Sequence, residues 1–128
     1  MQYHMTREVG LSYDEAVSKV TDELKTEGFG VLTEIDVKAT LKKKLDVDYR
    51  RYVILGACNP SLAYQALQAE EKVGVFLPCN VCVYETSGGK VTVSAMDPGG
   101  ALEMIGNPKL TAVGREARER IARVLAAL

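Results

Sequence analysis

At 128 residues with 47% hydrophobic side chains, the chain is one ordinary domain, with enough apolar material for a core that needs neither disulfides nor a structural metal. The 16 basic residues are matched by 17 acidic ones, and a formal net charge of -1 supplies no long-range field for nucleic acid. No stretch approaches the ~20 consecutive apolar residues of a membrane span, and the start, MQYHMTREVG, has no apolar signal core, so a cytoplasmic protein with no membrane partner is expected.

Residues 2–9 alternate weakly and suit a first strand. Ser12 then stands three residues before Glu15, the spacing at which hydroxyl and carboxylate satisfy free amides at a helix start. Tyr13, Ala16, Val17, Val20 and Leu24 recur at helical spacing and Gly28 supplies a left-handed stop, which predicts a helix over 12–27. Phe29, Val31 and Ile35 fall on one side of a second strand, and Asp36 can cap a second helix striped by Val37, Leu41 and Leu45. The lysines of that helix, Lys38, Lys42, Lys43 and Lys44, read as a solvated polar face.

Residues 52–58 form an apolar run expected to be a buried strand, with Val53, Leu55 and Ala57 on one face and Tyr52, Ile54 and Cys58 on the other. Asn59 is a good N-cap and Pro60 is favoured at the first helical position, so a short third helix follows, with Leu62, Ala63, Ala66 and Leu67 as its stripe. Val73 to Pro78 leads into a strand over 79–85, and Ser87-Gly88-Gly89-Lys90 folds it back onto residues 91–96 as a hairpin. Asp97-Pro98-Gly99-Gly100 reads as a turn opening a loop, with a brief helical turn near Leu102 to Ile105. Asn107-Pro108 repeats the cap signal, and Leu110, Val113, Ala117, Ile121, Val124, Leu125 and Leu128 hold one face of a last helix. The opposite face mixes Arg115, Arg118, Arg120 and Arg123 with Glu116 and Glu119, a pattern of solvent or of salt-bridged subunit contact.

This order of elements predicts an α+β domain: a mainly antiparallel sheet of about five strands with helices packed on one face. If Val81, Val83, Val91 and Val93 face the helices, then Cys82, Tyr84, Thr92 and Ser94 line a semi-polar second face suited to a ligand cleft or a subunit contact. Side chains such as Ile54 and Met96 would stay wet there, so a homodimer through this face or an edge strand is expected.

The phrases GFGVLTEIDVKATLKKKLDVDYRRYVILGACNPSLAYQAL (28–67), LPCNVCVYE (77–85) and VSAMDP (93–98) resemble the "domain of unknown function 302" family, over nearly the whole chain. The resemblance implies a compact α+β domain with a saddle-like sheet, similar in arrangement to a TATA-box-binding-protein half, together with dimerisation. It implies no activity. The family pattern includes the GACNP around Cys58 and the LPCNV around Cys79, whereas the position of Cys82 is commonly another apolar residue, which makes the C-x-x-C spelling incidental.

The three cysteines are an odd number in a chain without a secretory signal, so reduced thiols are expected. Cys79 and Cys82 lie three apart on a strand and point to opposite faces, so they cannot share a disulfide or a tetrahedral metal without a bulge. Zinc would need a fourth ligand, and the chain offers only His4, so no metal ligand is assigned. Cys58 is as well explained by packing as by chemistry. At the start of a capped helix, however, its thiolate would feel free amides, those of Ser61 or Leu62 first, and the dipole would lower its pKa and welcome an anion. With Cys79 beginning the neighbouring strand, Cys58, Asn59, Ser61, Cys79 and Asn80 are the candidate ligand-binding residues.

Two functions follow, and neither assigns a cofactor or a catalytic residue outright. One is a dimeric binding or sensing module for a small anionic or thiophilic ligand, or a soft metal. The other is a thiol redox or sulfur-transfer enzyme with Cys58 as nucleophile, weakened by the lack of a histidine base near it in sequence. No G-x-x-x-x-G-K motif or dinucleotide fingerprint is present, which excludes nucleotide binding by those routes.

Overall fold

A computed structural model of the chain describes residues 2–128. Five strands, β1 (His4–Val9), β2 (Gly30–Asp36), β3 (Tyr52–Cys58), β4 (Cys79–Glu85) and β5 (Val91–Met96), form one antiparallel sheet in the order β1-β5-β4-β3-β2. The helices are α1 (Tyr13–Thr26), α2 (Val37–Leu45), α3 (Pro60–Ala69), α4 (Pro98–Glu103) and α5 (Pro108–Ala126). The fold is the α+β layer that the alternation predicts.

One face of the sheet is buried by the helices. Val53, Leu55, Ala57, Val81, Val83, Val91, Val93 and Ala95 meet Ala16, Val20 and Leu24 of α1 and Leu110, Ala117, Ile121 and Val124 of α5 in a single core. Each fully buried Val, Leu or Ile is worth roughly 1.5–3 kcal/mol against exposure, so this face alone fixes the strand phase. On the other face Tyr52, Ile54, Cys82, Tyr84, Ser94 and Met96 stay partly exposed, while Thr92 is buried between its strand neighbours Glu8 and Tyr84.

Caps place the helices. Ser12 and Glu15 form the reciprocal capping box that starts α1, and Asp36 accepts the Ala39 amide at 2.9 Å to start α2. Arginines close the helical layer: Arg123 pairs with the Glu27 carboxylate at 2.8 Å, and Arg120 donates to the Glu27 carbonyl at 3.0 Å. Arg7 of β1 donates to the Leu125 and Ala126 carbonyls, where a cation suits the negative end of α5. The charged face of α5 thus makes ion pairs within the chain.

Three expectations are corrected. Ile35 does not share a face with Val31, because the β2–β3 register shifts between Val31 and Thr33; Leu32 is the extra residue, and Ile35 moves to the open side opposite Ile54. The stripe of α2 is not buried, and Leu45 is 67% exposed. Asp97 to Gly100 is not a loop: Asp97 caps α4, accepting the Gly99 and Gly100 amides at 2.9 and 3.2 Å, and Pro98 takes the first helical position. Val73 to Pro78 does lead into β4, by way of a 3₁₀ helix over Glu71–Phe76.

The glycines of this region serve close packing. A Cβ at Gly114 of α5 would lie 2.7 Å from the Pro98 carbonyl oxygen and 3.3 Å from the Gly99 Cα, so α4 and α5 touch backbone to backbone. Gly114→Ala should therefore destabilise the domain by roughly 1–3 kcal/mol in urea unfolding, although alanine improves helix propensity by about 1 kcal/mol. An unchanged or raised midpoint would show that the helices do not meet this closely. Asp97 is buried and pairs with Arg118 at 3.3 Å. Asp97→Ala should cost about 1–3 kcal/mol by the same assay, with Asp97→Asn milder because its oxygen still accepts both amides.

Candidate functional site

Cys58 closes β3 and Cys79 opens β4, next to the cross-strand pair of Ala57 and Cys79. Both cysteines line one cleft with Asn59, Leu62, Leu77 and Pro98. The cleft is narrow, about 30 Å³, and its walls are almost wholly apolar. That volume admits one or two water-sized groups. Leu77-Pro78, a cis peptide, forms part of the wall. Gly56 lies next to this corner because a Cβ there would collide with Thr33 Oγ1 and come within 2.9 Å of Pro78.

The positive end of α3 is already occupied. Asn59 Oδ1 accepts the Leu62 amide at 3.2 Å, and the Asn59 amide reaches the Glu27 carbonyl at 3.4 Å. The expected lowering of the Cys58 thiol is therefore reversed: burial pushes its pKa up. Burial also pushes Cys79 up to about 11, with the neighbouring Cys58 adding to the rise. At neutral pH both thiols are therefore protonated.

Of the candidate residues, Cys58, Asn59 and Cys79 come together here. Ser61 is exposed on the first turn of α3, and Asn80 points to the other side of the sheet. Cys82 is likewise on that side, so alternation separates it from Cys79 as expected. All three cysteines are free. Among the described residues no group of three or more His, Cys, Asp and Glu is arranged to hold a metal ion.

The uncovered face carries a second, larger feature, on the semi-polar side where alternation placed Cys82, Tyr84 and Ser94. A groove of about 500 Å³ runs across β1, β5, β4 and β3. Tyr52 and Tyr84, a cross-strand pair, stack with ring centres 4.8 Å apart and planes within 12°. Tyr84 Oη lies 2.7 Å from Ser94 Oγ, Ser94 Oγ 2.8 Å from Thr6 Oγ1, and Thr6 Oγ1 2.8 Å from His4 Nδ1. Burial raises the Tyr52 hydroxyl, with Cys82 adding to it, and burial also raises the Cys82 thiol. Tyr84 and Ser94 stood on the expected open face; His4 and Thr6 required the β1–β5 pairing, which joins residues about ninety positions apart.

Residues 5–128 match the family model described as "Domain of unknown function DUF302". A crystal structure of a conserved DUF302 protein from Bacillus stearothermophilus is similar at 31% identity, covering 98% of each chain with a TM-score of 0.91. No curated protein matches. Matched along nearly its whole length in both sequence and structure, the chain belongs to the DUF302 family.

Proposed function

We propose that this protein is a small dimeric binding module that holds a thiophilic ligand or a soft metal ion between Cys58 and Cys79. The supporting observation is that Cys58 and Cys79 both line one apolar cleft, which Asn59 also lines and which is too narrow for a large organic molecule. Two sulfurs without further protein ligands suit a soft monovalent ion or a small soft electrophile, since thiolates select for softness. An anionic ligand is disfavoured because the Leu62 amide is bound by Asn59 and the walls carry almost no polar surface. The enzyme alternative needs a depressed thiol, and Cys58 moves the other way.

The second copy in the dimer is supported at β2, one of the two edge strands of the sheet. Leu32 is 68% exposed there, Ile35 47%, and Val47 after α2 43%. An edge strand with unpaired backbone and exposed apolar side chains is a template for pairing with itself, which closes a two-fold dimer.

Silver ion, a redox-inert stand-in for Cu(I), tests the thiol site. One ion should bind per chain with release of protons, and Cys58→Ala and Cys79→Ala should each weaken binding by about tenfold or more, 1.4 kcal/mol. Cys82→Ala should leave it unchanged. Alkylation of Cys58 by iodoacetamide should be slow at neutral pH and climb only above ~8.5, because a raised thiol holds less thiolate at a given pH. Binding that survives Cys58→Ala removes this reading, and an alkylation plateau at neutral pH restores the nucleophile.

Light scattering should give twice 13.9 kDa at micromolar concentration. Leu32→Glu should return the monomer mass while changing monomer stability by no more than about 0.5 kcal/mol, the usual range for an exposed position. A monomer mass for the unmodified chain, or a dimer untouched by Leu32→Glu, would rule out this interface.

A further inference from the structure

We propose that the groove on the uncovered face of the sheet is a binding site for an uncharged, planar small molecule that both donates and accepts hydrogen bonds. The groove lies on the side of the sheet away from the thiol cleft, and the inference does not depend on that cleft.

Size and charge set the class of occupant. About 500 Å³ falls within the range of metabolite pockets, ~300–1,000 Å³. Among the described residues no Asp, Glu, Lys or Arg lines it. A charged ligand would give up water without meeting a counter-charge, whereas a neutral one loses little. The stacked Tyr52 and Tyr84 rings make a flat aromatic wall, and the Met96 thioether borders the same space, where sulfur packs favourably on a ring.

The polar side is a chain of four groups joined by three hydrogen bonds: His4, Thr6, Ser94 and Tyr84. Neutral imidazole carries one N–H and each hydroxyl one O–H, so four protons serve three bonds. One proton is left over in every arrangement, and placed at either end of the chain it makes that end a donor and the other an acceptor. With the spare proton at Tyr84, His4 Nε2 is a free acceptor; with it at His4 Nε2, Tyr84 Oη is the acceptor. The chain therefore presents one donor and one acceptor, and a ligand's own polarity selects which end is which. A molecule with a hydroxyl at one end and a carbonyl at the other satisfies both, while a hydrocarbon satisfies neither.

The probe is 4-hydroxyacetanilide, neutral and planar, compared with 4-hydroxybenzoate, which keeps the phenol and adds a negative charge. In amide-resolved NMR titrations of the full chain, the neutral probe should give saturable shifts at Cys82, Ser94 and Met96, and the anion none. Ser94→Ala breaks two of the three bonds and should weaken binding about tenfold, since each bond is worth about 0.5–1.5 kcal/mol. Tyr84→Phe keeps the ring and the stack, so it should fold normally and weaken binding by about threefold to tenfold. Cys58→Ala should bind the probe as well as the unmodified chain does, which separates this site from the thiol cleft. Absence of saturable shifts, equal binding of 4-hydroxybenzoate, or indifference to both Ser94→Ala and Tyr84→Phe overturns the proposal. So does a concentration-dependent dimer whose formation shifts the Cys82, Ser94 and Met96 resonances in the absence of the probe, because a second copy would then be the occupant.

Discussion

The single helical layer is the constraint on which the rest of the molecule depends. Helices cover only one face of the sheet, so strand alternation sorts the side chains of β4, β5 and β3, its terminal Cys58 excepted, into one of two environments. Cys79 goes to the core side and Cys82, three residues on, to the open side. Tyr52, Tyr84 and Ser94 follow Cys82 to the open side, where no helix competes for the space. Two candidate sites result, back to back on one sheet and different in chemistry: thiols in an apolar slot, hydroxyls and imidazole in an open groove.

The slot is held by a knot of hydrogen bonds at the end of α1. The Glu27 carbonyl accepts from both Asn59 and Arg120, and its carboxylate from Arg123. Arg123 draws the Glu27 carboxyl below its ordinary pKa. In this way α1, the start of α3 and the middle of α5 are fixed relative to one another, and Cys58 sits beside the residue that joins them. Each of α3, α4 and α5 begins with an Asx-Pro pair, in which the side-chain oxygen accepts a free amide and the proline occupies a position with no hydrogen bond to lose.

Much of this was legible in the sequence because it is local. The capping box of α1, the stripe of α5 and the valines of the hairpin depend on spacing alone, and they stand where spacing puts them. Asp97-Pro98 carried the same signal as Asn59-Pro60, but the following Gly99-Gly100 reads equally well as a turn. Only the packing shows why Gly99 is small: a Cβ there would lie 3.1 Å from the Arg118 side chain and 3.2 Å from Asp97 Oδ1. The displacement of Ile35 was invisible for another reason: one bulged residue, Leu32, reverses the phase of the strand after it. The hydroxyl chain was illegible in principle, since His4 and Ser94 meet only through the β1–β5 register, and register is a long-range property.

The same distinction between local and long-range effects explains why Cys58 departs from expectation. Position at a helix start predicts a lowered thiol, but the dipole is worth about 0.3–1 kcal/mol, less than the ~1.36 kcal/mol of a single pKa unit. Asn59 Oδ1 further removes the amide best placed to help, by accepting it for the cap. Against this stands desolvation by Leu62, Leu77, Pro78 and Pro98, which the strand–helix junction cannot show in sequence because three of the four come from outside the helix that Asn59 caps. Desolvation wins, and the thiol that the local motif would make a nucleophile becomes a neutral, polarizable wall of a dry slot. That outcome favours ligands which draw a proton off sulfur as they bind over reactions that need the thiolate in advance.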